Sequence, residues 1–221
     1  MRLVQCWDDG VLDDIRVIEI LRKHGAKASF NLNYGLHENE RVGKWKFKET
    51  KMVYKLAKGE LKDVYEGFLV ANHTTTHPHL SRIPLEDAVK NIIEGRDQLE
   101  QVFGYAIKGF AYPFGDYNDA VENAIRQAGH VYARTTKNVE KVFPCENPMA
   151  FHANTHFLAA DFWDKFQRVK DMDKDGDEVF YFWGHSYELI TEEQWQTFDR
   201  QIERLSADPQ TRWADLPDLF V

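Results

Sequence analysis

The sequence lacks the features that mark several large classes of protein. Only two cysteines, Cys6 and Cys145, occur among 221 residues, and no Cys-x-x-Cys pair is present. This excludes a disulfide-stapled scaffold and a zinc site built on sulfur. No run approaches the ~20 apolar residues that cross a bilayer. The first apolar stretch is interrupted by Asp8 and Asp9, where a signal peptide would continue. We therefore expect a cytoplasmic protein, although a secreted chain whose leader had been removed would have the same sequence.

Positive charge is also scarce. There are 28 Lys and Arg residues against 36 Asp and Glu, which gives a formal net charge of −8. Without a block of basic residues, nucleic acid and anionic membranes are poor candidates for the main partner. A length of 221 residues with 43% hydrophobic residues suffices for one domain with a sizeable core. We expect residues 1–221 to form a single domain, while the oligomeric state is left open.

Short apolar runs alternate with helical patterns, which is typical of βα units around a parallel sheet. Strands are predicted at 2–7, 28–32, 68–71, 107–111, 131–134 and 179–183. Helices are predicted at 12–21, 84–103, 119–128, 162–169 and 192–205, and residues 212–221 as a short strand or tail. The basic segment 41–62 is expected to hold one helix and a surface insertion. The pattern predicts an α/β fold, either a (β/α) barrel or an incomplete version of one.

Polar residues that could take part in catalysis or metal binding follow four of these strands. They are Trp7-Asp8-Asp9-Gly10, Asn72-His73-Thr74-Thr75-Thr76-His77, Tyr112-Pro113-Phe114-Gly115 and Gly184-His185-Ser186. In a barrel, the carboxyl ends of the strands meet at one mouth, so these segments become neighbours.

His73 and His77 have a spacing that suits chelation of one divalent metal. One carboxylate from Asp8-Asp9 would complete a three-ligand set with open positions, as catalytic metal sites have. The alternative for the carboxylates is a strand-ending turn in which Asp9 caps the next helix. A second pair, His152 and His156, has the same spacing but no adjacent carboxylate in the sequence and no clear preceding strand. We interpret that pair as structural.

The four motifs, in this order and spacing, resemble those of the polysaccharide deacetylases, the NodB-homology proteins of carbohydrate esterase family four. The resemblance spans about residues 2–187. It implies a distorted, incomplete (β/α) barrel and a single catalytic domain. It also implies removal of N-acetyl groups from amino sugars or oligosaccharides, and one divalent metal, usually Zn²⁺.

The resemblance also implies roles for individual residues. Asp8 would be the general base, and His185 would protonate the leaving amine. The backbone N–H of Tyr112, beside Pro113, would hold the oxyanion. The metal ligands would be Asp9, His73 and His77.

Two departures from the family pattern affect the site. Ala111 stands where the family normally has an arginine that helps to hold the catalytic aspartate, and the fourth motif is not recognisable around residues 132–135. Arg134, at the end of the next strand, is a candidate for supporting Asp8 instead. For lack of a nearby positive charge, we expect the acid limb of the pH profile to lie at higher pH than in relatives that keep the arginine.

Two further patterns carry predictions. Asp171-x-Asp173-x-Asp175-Gly176 matches the start of an EF-hand loop, but Phe182 occupies the position of the bidentate glutamate, so we predict an acidic turn without calcium. Four aromatic residues near the mouth are expected to be exposed and suited to sugar stacking: Trp7, Tyr112, Phe114 and Tyr187.

Two alternatives to sugar deacetylation stay open. One is a metal-dependent amidohydrolase that acts on a small non-sugar amide, since a fold does not fix the substrate. The other is a carbohydrate-binding pseudo-enzyme, which the missing arginine at Ala111 favours. Retention of the metal triad together with Asp8 and His185 argues against it, because sugar binding alone needs neither a metal nor a general acid.

Overall fold

The computed structural model describes residues 1–220, and a parallel β-sheet rolled into a nearly closed barrel lies at its centre. Val221, the last residue of the predicted tail, lies outside the described residues. Within residues 1–220 the strands are β1 (Arg2–Asp8), β2 (Ser29–Leu32), β3 (Val42–Phe47), β4 (Lys51–Lys55), β5 (Leu69–Asn72), β6 (Gly109–Ala111), β7 (Tyr132–Asn138), β8 (Phe151–Ala153), β9 (Thr155–His156), β10 (Val179–Gly184) and β11 (Arg212–Trp213). The α-helices are α1 (Asp14–Lys23), α2 (Leu61–Val64), α3 (Leu85–Phe103), α4 (Asp119–Gln127), α5 (Phe162–Met172) and α6 (Glu192–Ala207).

The strand order around the sheet is β8-β7-β6-β5-β2-β1-β10-β9, with β11 beside the start of β1. Every adjacent pair in this sheet is parallel. β1 lies between β2 and β10 in this order and is buried over almost its whole length, as its largely apolar sequence predicts. The predicted incomplete (β/α) barrel is therefore confirmed.

Asn154 lies at the seam of the barrel, the point between β8 and β9 where the regular strand pairing is interrupted. It alone separates β8, which pairs with β7, from β9, which pairs with β10. Its main-chain N–H donates to the carbonyl of Tyr181, and its Oδ1 accepts from the Tyr181 N–H, both at 2.8 Å. Its Nδ2 donates to the carbonyls of Val139 and Glu140 at 3.2 and 2.8 Å. One side chain thus satisfies backbone groups on both sides of a seam that lacks a regular ladder.

The helices follow their sequence signals closely. α3 begins directly after Pro84 and ends at Gly104, whose φ of +77° places it in the left-handed region that ends many helices. The apolar faces of α1, α5 and α6 pack on the core that also contains β1 and β10. No helix within residues 1–220 is long and apolar enough to span a bilayer.

The segment 41–62 differs from the expected helix with an insertion. The insertion is an antiparallel hairpin of β3 and β4, and the helix is the single turn α2. In β4, Val53 and Lys55 are buried whereas Met52 and Tyr54 are exposed, which is the two-residue period of a strand. Lysines occupy many positions of the hairpin, so its sequence does not alternate between apolar and polar residues even though burial alternates.

Candidate active site

The carboxyl ends of neighbouring barrel strands form one edge, and the candidate residues lie along it. β1 ends at Asp8, β5 at Asn72, β6 at Ala111 and β10 at Gly184. Because these strands are parallel and lie within the run β6-β5-β2-β1-β10, their ends are side by side. Segments distant in sequence therefore converge, as a barrel predicts.

Asp9, His73 and His77 come together as one candidate metal site. Their ligand atoms all lie within 4.8 Å of one another, and 4.0 Å separates His77 Nε2 from Asp9 Oδ1. Asp9 and His77 have φ values of +85° and +60°. Such conformations cost roughly 1–3 kcal/mol in non-glycine residues and persist where the surrounding structure holds a functional group in place. One carboxylate and two imidazoles are a donor set that suits a catalytic zinc ion.

Both histidines of this set are held in the form that binds metal. His73 Nδ1 donates to the carbonyl of Ala111 at 2.7 Å, so the lone pair lies on Nε2, which faces the other ligands. Burial lowers the pKa of His73, and burial together with the neighbouring His73 lowers the pKa of His77 to about 4. Both imidazoles are therefore neutral at neutral pH. The residues present fit a divalent metal.

Asp8 is 2% exposed, and each of its carboxylate oxygens has a partner. Asn31 Nδ2 donates to Oδ1 at 2.6 Å, and Arg134 Nη2 donates to Oδ2. β6 and β7 pair Ala111 with Arg134, so both positions lie on the same face of the sheet. A guanidinium from β7 therefore reaches the carboxylate that the family's arginine would hold from β6. The predicted support of Asp8 by Arg134 has the contact that it needs.

The expected shift of the acid limb to higher pH is wrong in its premise. Burial by itself would raise the pKa of Asp8, but Arg134, His73 and His185 outweigh burial and hold the pKa below its usual range. The expectation assumed that Ala111 leaves the carboxylate without a positive charge nearby. Arg134 supplies that charge from the neighbouring strand.

His185 faces both aspartates across the site. Its Nε2 lies 3.8 Å from Asp8 Oδ2 and 3.9 Å from Asp9 Oδ2. Burial alone would lower the pKa of His185, but Glu188 and the two aspartates outweigh burial and raise it. An imidazole whose pKa is raised holds its proton more tightly, which suits the role of a general acid. This is the position that the predicted role of His185 requires.

Lys55 and Asn33, neither of which is predicted from the sequence as a site residue, join the backbones of two candidate metal ligands. Lys55 Nζ donates to the main-chain carbonyl of Asp9 and, at 3.1 Å, to Asn33 Oδ1. Asn33 Nδ2 donates to the carbonyl of His73 at 2.5 Å. Both side chains are fully buried. The hairpin, expected to be a surface insertion, thus contributes a buried amino group whose pKa is lowered by burial. Its signal in the sequence is a lysine at an inward position of β4.

Two of the four aromatic residues expected at the mouth are in the core. Trp7 is completely buried because its side chain points from β1 towards the helix layer, where it contacts Phe198 of α6 edge-on at 5.2 Å. Tyr112 is 1% exposed, and its hydroxyl donates to the carbonyl of Met149 at 2.7 Å. The expectation of exposed stacking platforms at these two positions is wrong.

The other two aromatic residues do lie at the mouth. Phe114 is 56% exposed, and its ring centroid lies 4.5 Å from that of His77. Tyr187 is half-buried against the hairpin, with ring centroids 5.4 Å from Trp45 and 5.1 Å from Phe47. The hairpin therefore places aromatic side chains next to the candidate metal site.

The backbone N–H of Tyr112 is not a free oxyanion donor. It donates to the carbonyl of Arg134 at 3.0 Å and continues the ladder between β6 and β7, so that prediction is wrong. Pro113 has no N–H and is the first residue of the short 3-10 turn that follows β6. The next donor is the N–H of Phe114, which has no hydrogen-bond partner within residues 1–220. The φ of Phe114 is +58°.

The second histidine pair is split between two strands rather than lying beyond one. His152 lies in β8, where its Nδ1 is 2.5 Å from Thr135 Oγ1. His156 lies in β9, where its Nε2 is 2.9 Å from Glu188 Oε2. Neither strand is predicted from the sequence, because β8 and β9 are too short to give a sequence signal. The carboxylate beside His156 comes from a residue distant in sequence.

The acidic run 171–176 has a structural role. Asp173 Oδ2 forms an ion pair with the amino group of Met1 at 2.6 Å, and its Oδ1 accepts from the N–H of Glu178 at 2.9 Å. Both oxygens are thus engaged in a turn that enters β10. Phe182, at the position of the missing glutamate, is buried within that strand.

Comparison with known proteins agrees with this geometry. The sequence pattern of the family described as polysaccharide deacetylase matches residues 2–133, more than half of the chain. The chain belongs to this family. A peptidoglycan-N-acetylglucosamine deacetylase of Bacillus cereus is 28% identical over 113 residues, which are 51% of this chain and 34% of that protein. The protein YlxY of Bacillus subtilis is 28% identical over 115 residues, or 52% of this chain and 30% of that protein.

Solved structures extend the similarity of fold to almost the whole chain. A family 4 carbohydrate esterase from Streptomyces lividans, in complex with acetate, superposes with a TM-score of 0.60 at 14% identity. The match covers 99% of this chain and 95% of that one. The chain thus has the fold of these esterases from end to end, whereas its matches to the curated relatives span about a third of their length.

Proposed function

We propose that this family member is a metal-dependent hydrolase that removes N-acetyl groups from amino sugars or oligosaccharides. The observation that carries the proposal is the placement of two buried or half-buried proton-transfer groups beside the candidate metal triad. Asp8 and His185 lie 3.8 Å apart at the carboxyl ends of β1 and β10. Amide hydrolysis needs a base that takes a proton from the attacking water and an acid that gives a proton to the leaving amine.

One divalent ion, expected to be Zn²⁺, would be held by Asp9, His73 and His77. When bound, such an ion lowers the pKa of a water molecule and polarises the carbonyl of the acetamide. The neutral imidazoles described above and an ionised Asp9 are ready to bind it without losing protons at neutral pH. Lys55 and Asn33 fix the backbones from which two of these ligands project.

The protein groups then divide the proton transfers between them. Asp8, ionised because of Arg134, accepts a proton from the attacking water as its oxygen bonds to the acetyl carbon. His185 gives a proton to the sugar nitrogen as the carbon–nitrogen bond breaks. The products are acetate and a free amine. Asn31 and Arg134 hold Asp8 in one orientation during this exchange.

The developing negative charge on the acetyl oxygen needs a donor. We assign this role to the N–H of Phe114, because the N–H of Tyr112 is engaged and Pro113 has none. The ring of Phe114, which stacks on His79, also offers its exposed apolar surface to a sugar ring. The aromatic residues of the hairpin bound the other side of the site. These features favour an amino sugar over a small aliphatic amide.

Metal analysis tests the ligand set. His73→Ala and His77→Ala should each strongly reduce zinc binding, whereas His152→Ala is the matched control and should bind one equivalent. Full zinc occupancy in both ligand variants would contradict the assignment.

Acetate release tests the reaction. N-acetylglucosamine oligomers should be deacetylated faster than a panel of non-sugar amides. At matched zinc occupancy, Asp8→Asn and His185→Ala should each lose ~10²–10⁴-fold in turnover, which is the usual contribution of a general base or acid. Near-wild-type turnover in Asp8→Asn would contradict the assignment of Asp8 as the base. Absence of acetate release from the wild type would point to the carbohydrate-binding alternative, and preference for small amides would point to the other amidohydrolase.

A further inference from the structure

Glu188 lies between two histidines at the mouth of the barrel. Its Oε2 is 2.9 Å from His156 Nε2 and 3.6 Å from His185 Nδ1. The same oxygen accepts from the main-chain N–H of His185 at 3.2 Å, and the N–H of Glu188 donates to the carbonyl of His185 at 3.1 Å. The carboxylate is therefore fixed to the backbone of the residue whose side chain it faces.

His156 fixes this carboxylate from the opposite side. The N–H of Leu158 donates to His156 Nδ1 at 3.3 Å, so Nδ1 is an acceptor and the proton of the neutral ring lies on Nε2. That proton points at Glu188. His156 comes from β9, whereas Glu188 and His185 follow β10, and the two strands pair directly. The contact is thus built into the seam of the barrel.

The two nitrogens of His185 face different groups. Nε2 faces Asp8 and Asp9 across the site, and Nδ1 is buried with no hydrogen-bond partner closer than Glu188. At 3.6 Å the Glu188 contact is too long for a formed hydrogen bond. Such contacts are often long in ligand-free enzymes and shorten in the complex. A carboxylate on one imidazole nitrogen fixes the tautomer and the orientation of the other.

We propose that Glu188, anchored by His156, is the positioning residue for His185. It holds the Nδ1 proton, so that Nε2 is presented to the leaving amine. This inference rests on the proposed deacetylation, and it gives a function to one half of the histidine pair that the sequence indicates is structural.

The same three side chains form a cluster that could hold a metal, since their ligand atoms lie within 4.8 Å of one another. The proton on His156 Nε2 argues against this, because it points at the carboxylate and leaves no lone pair for an ion. Zinc titration separates the two cases. A second zinc equivalent that is present in the wild type and absent from His156→Ala would overturn the positioning role.

The kinetic test compares two leaving groups in zinc-loaded protein. With an N-acetylglucosamine oligomer, which needs a protonated amine, Glu188→Gln should lose ~10-fold or more in kcat, part of the ~10²–10⁴-fold that a general acid contributes. With 4-nitrophenyl acetate, whose phenolate leaves without a proton, the same variant should keep its kcat. His156→Ala should show the same selectivity in weaker form, and His152→Ala should change neither rate.

Two results would overturn the inference on its own. One is an equal loss with both substrates. The other is a full Glu188→Gln effect in a His185→Ala background, where a residue that acts through His185 should have none. If the wild type releases no acetate from sugars, the proposed function fails instead.

Nitrogen NMR of the His185 ring then still tests the positioning role. In alkaline buffer, the proton of the neutral ring should lie on Nδ1 in the wild type and be shared between both nitrogens in Glu188→Gln. An identical tautomer in both proteins would refute the proposal.

Discussion

Arg134→Met tests whether a guanidinium on β7 replaces the arginine that Ala111 lacks. The change removes the cation from Asp8 Oδ2 while leaving an unbranched apolar side chain of similar length. Asp8 keeps Asn31 on its other oxygen. The carboxylate then loses its strongest electrostatic support and retains the full penalty of burial.

The expected loss of stability is large because neither partner is solvated. The side chains of Arg134 and Asp8 are 1% and 3% exposed, and removing one member of a buried ion pair typically costs ~3–5 kcal/mol. In the wild type, the lowered pKa of Asp8 means that the pair stabilises the fold above the unfolded pKa of ~4. That stabilisation is lost only as the pH falls through the folded value.

In the variant the pKa of Asp8 rises, so protonation relieves the buried charge as the pH falls. The difference in unfolding free energy between the two proteins should therefore be widest near pH 7 and narrower in acid. Urea denaturation at pH 7 and at about pH 4.5, with zinc saturating in both proteins, measures this difference. A loss below ~1 kcal/mol at pH 7, typical of an exposed pair, would refute the reasoning.

Activity gives an independent measure of the same contact. The acid limb of the acetate-release profile should move to higher pH in Arg134→Met, because the base now binds its proton more tightly. Adding Ala111→Arg should move the limb back, since positions 111 and 134 are paired and share a face of the sheet. Arg134→Lys controls for charge without the planar fork of the guanidinium. An acid limb that does not move in Arg134→Met would show that Asp8 does not depend on this arginine.

Three further predictions concern residues outside the proton-transfer pair. Lys55→Met should weaken zinc binding ~10–100-fold, as loss of a group that orients metal ligands usually does, and competition against a chelator measures this; unchanged affinity would contradict the bridging role. The 171–176 run should bind no calcium at micromolar concentration, so calorimetry of the wild type and of Asp173→Ala should be equally silent, and a site lost in the variant would prove otherwise. Asn154→Ala should lower the free energy of unfolding by ~2–4 kcal/mol. The reason is that the buried Tyr181 N–H and the carbonyls at the seam lose hydrogen-bond partners worth ~1–3 kcal/mol each. Urea denaturation that shows a loss below ~0.5 kcal/mol would mean that the seam does not need this side chain.

The parts of the fold that the sequence predicts are those whose signal is local. β10 is a continuous apolar run, β1 is apolar from Leu3 to Trp7 except at Gln5, and α3 is bounded by Pro84 and Gly104. Each is therefore predicted within a few residues of its observed limits. The seam was missed because β8 and β9 have only three and two residues, too few to show a period. Their place depends on the hydrogen bonds of Asn154, which are not visible in the sequence around it.

The same distinction separates the site residues that were predicted from those that were not. Asp9, His73 and His77 were found because two short segments carry them in a recognisable spacing. Lys55 was missed because its neighbours on the hairpin include lysines that face solvent, and burial alone distinguishes it. Glu188 cannot be distinguished from other acidic residues in the sequence, because only the fold places His156 of β9 against it.

The departures from the family pattern are therefore better judged from the charges and distances in the structure than from the motif sequence alone. Ala111 removes a cation from one strand, and its paired neighbour Arg134 returns a cation to the same carboxylate. The proposed acid, His185, has the carboxylate of Glu188, three residues along the chain, 3.6 Å from its Nδ1. A pseudo-enzyme that binds sugar has no use for either contact, since each would fix the orientation of a proposed proton-transfer group rather than a ligand. Because both contacts are present with the metal triad intact, the missing motif arginine is weak support for loss of activity.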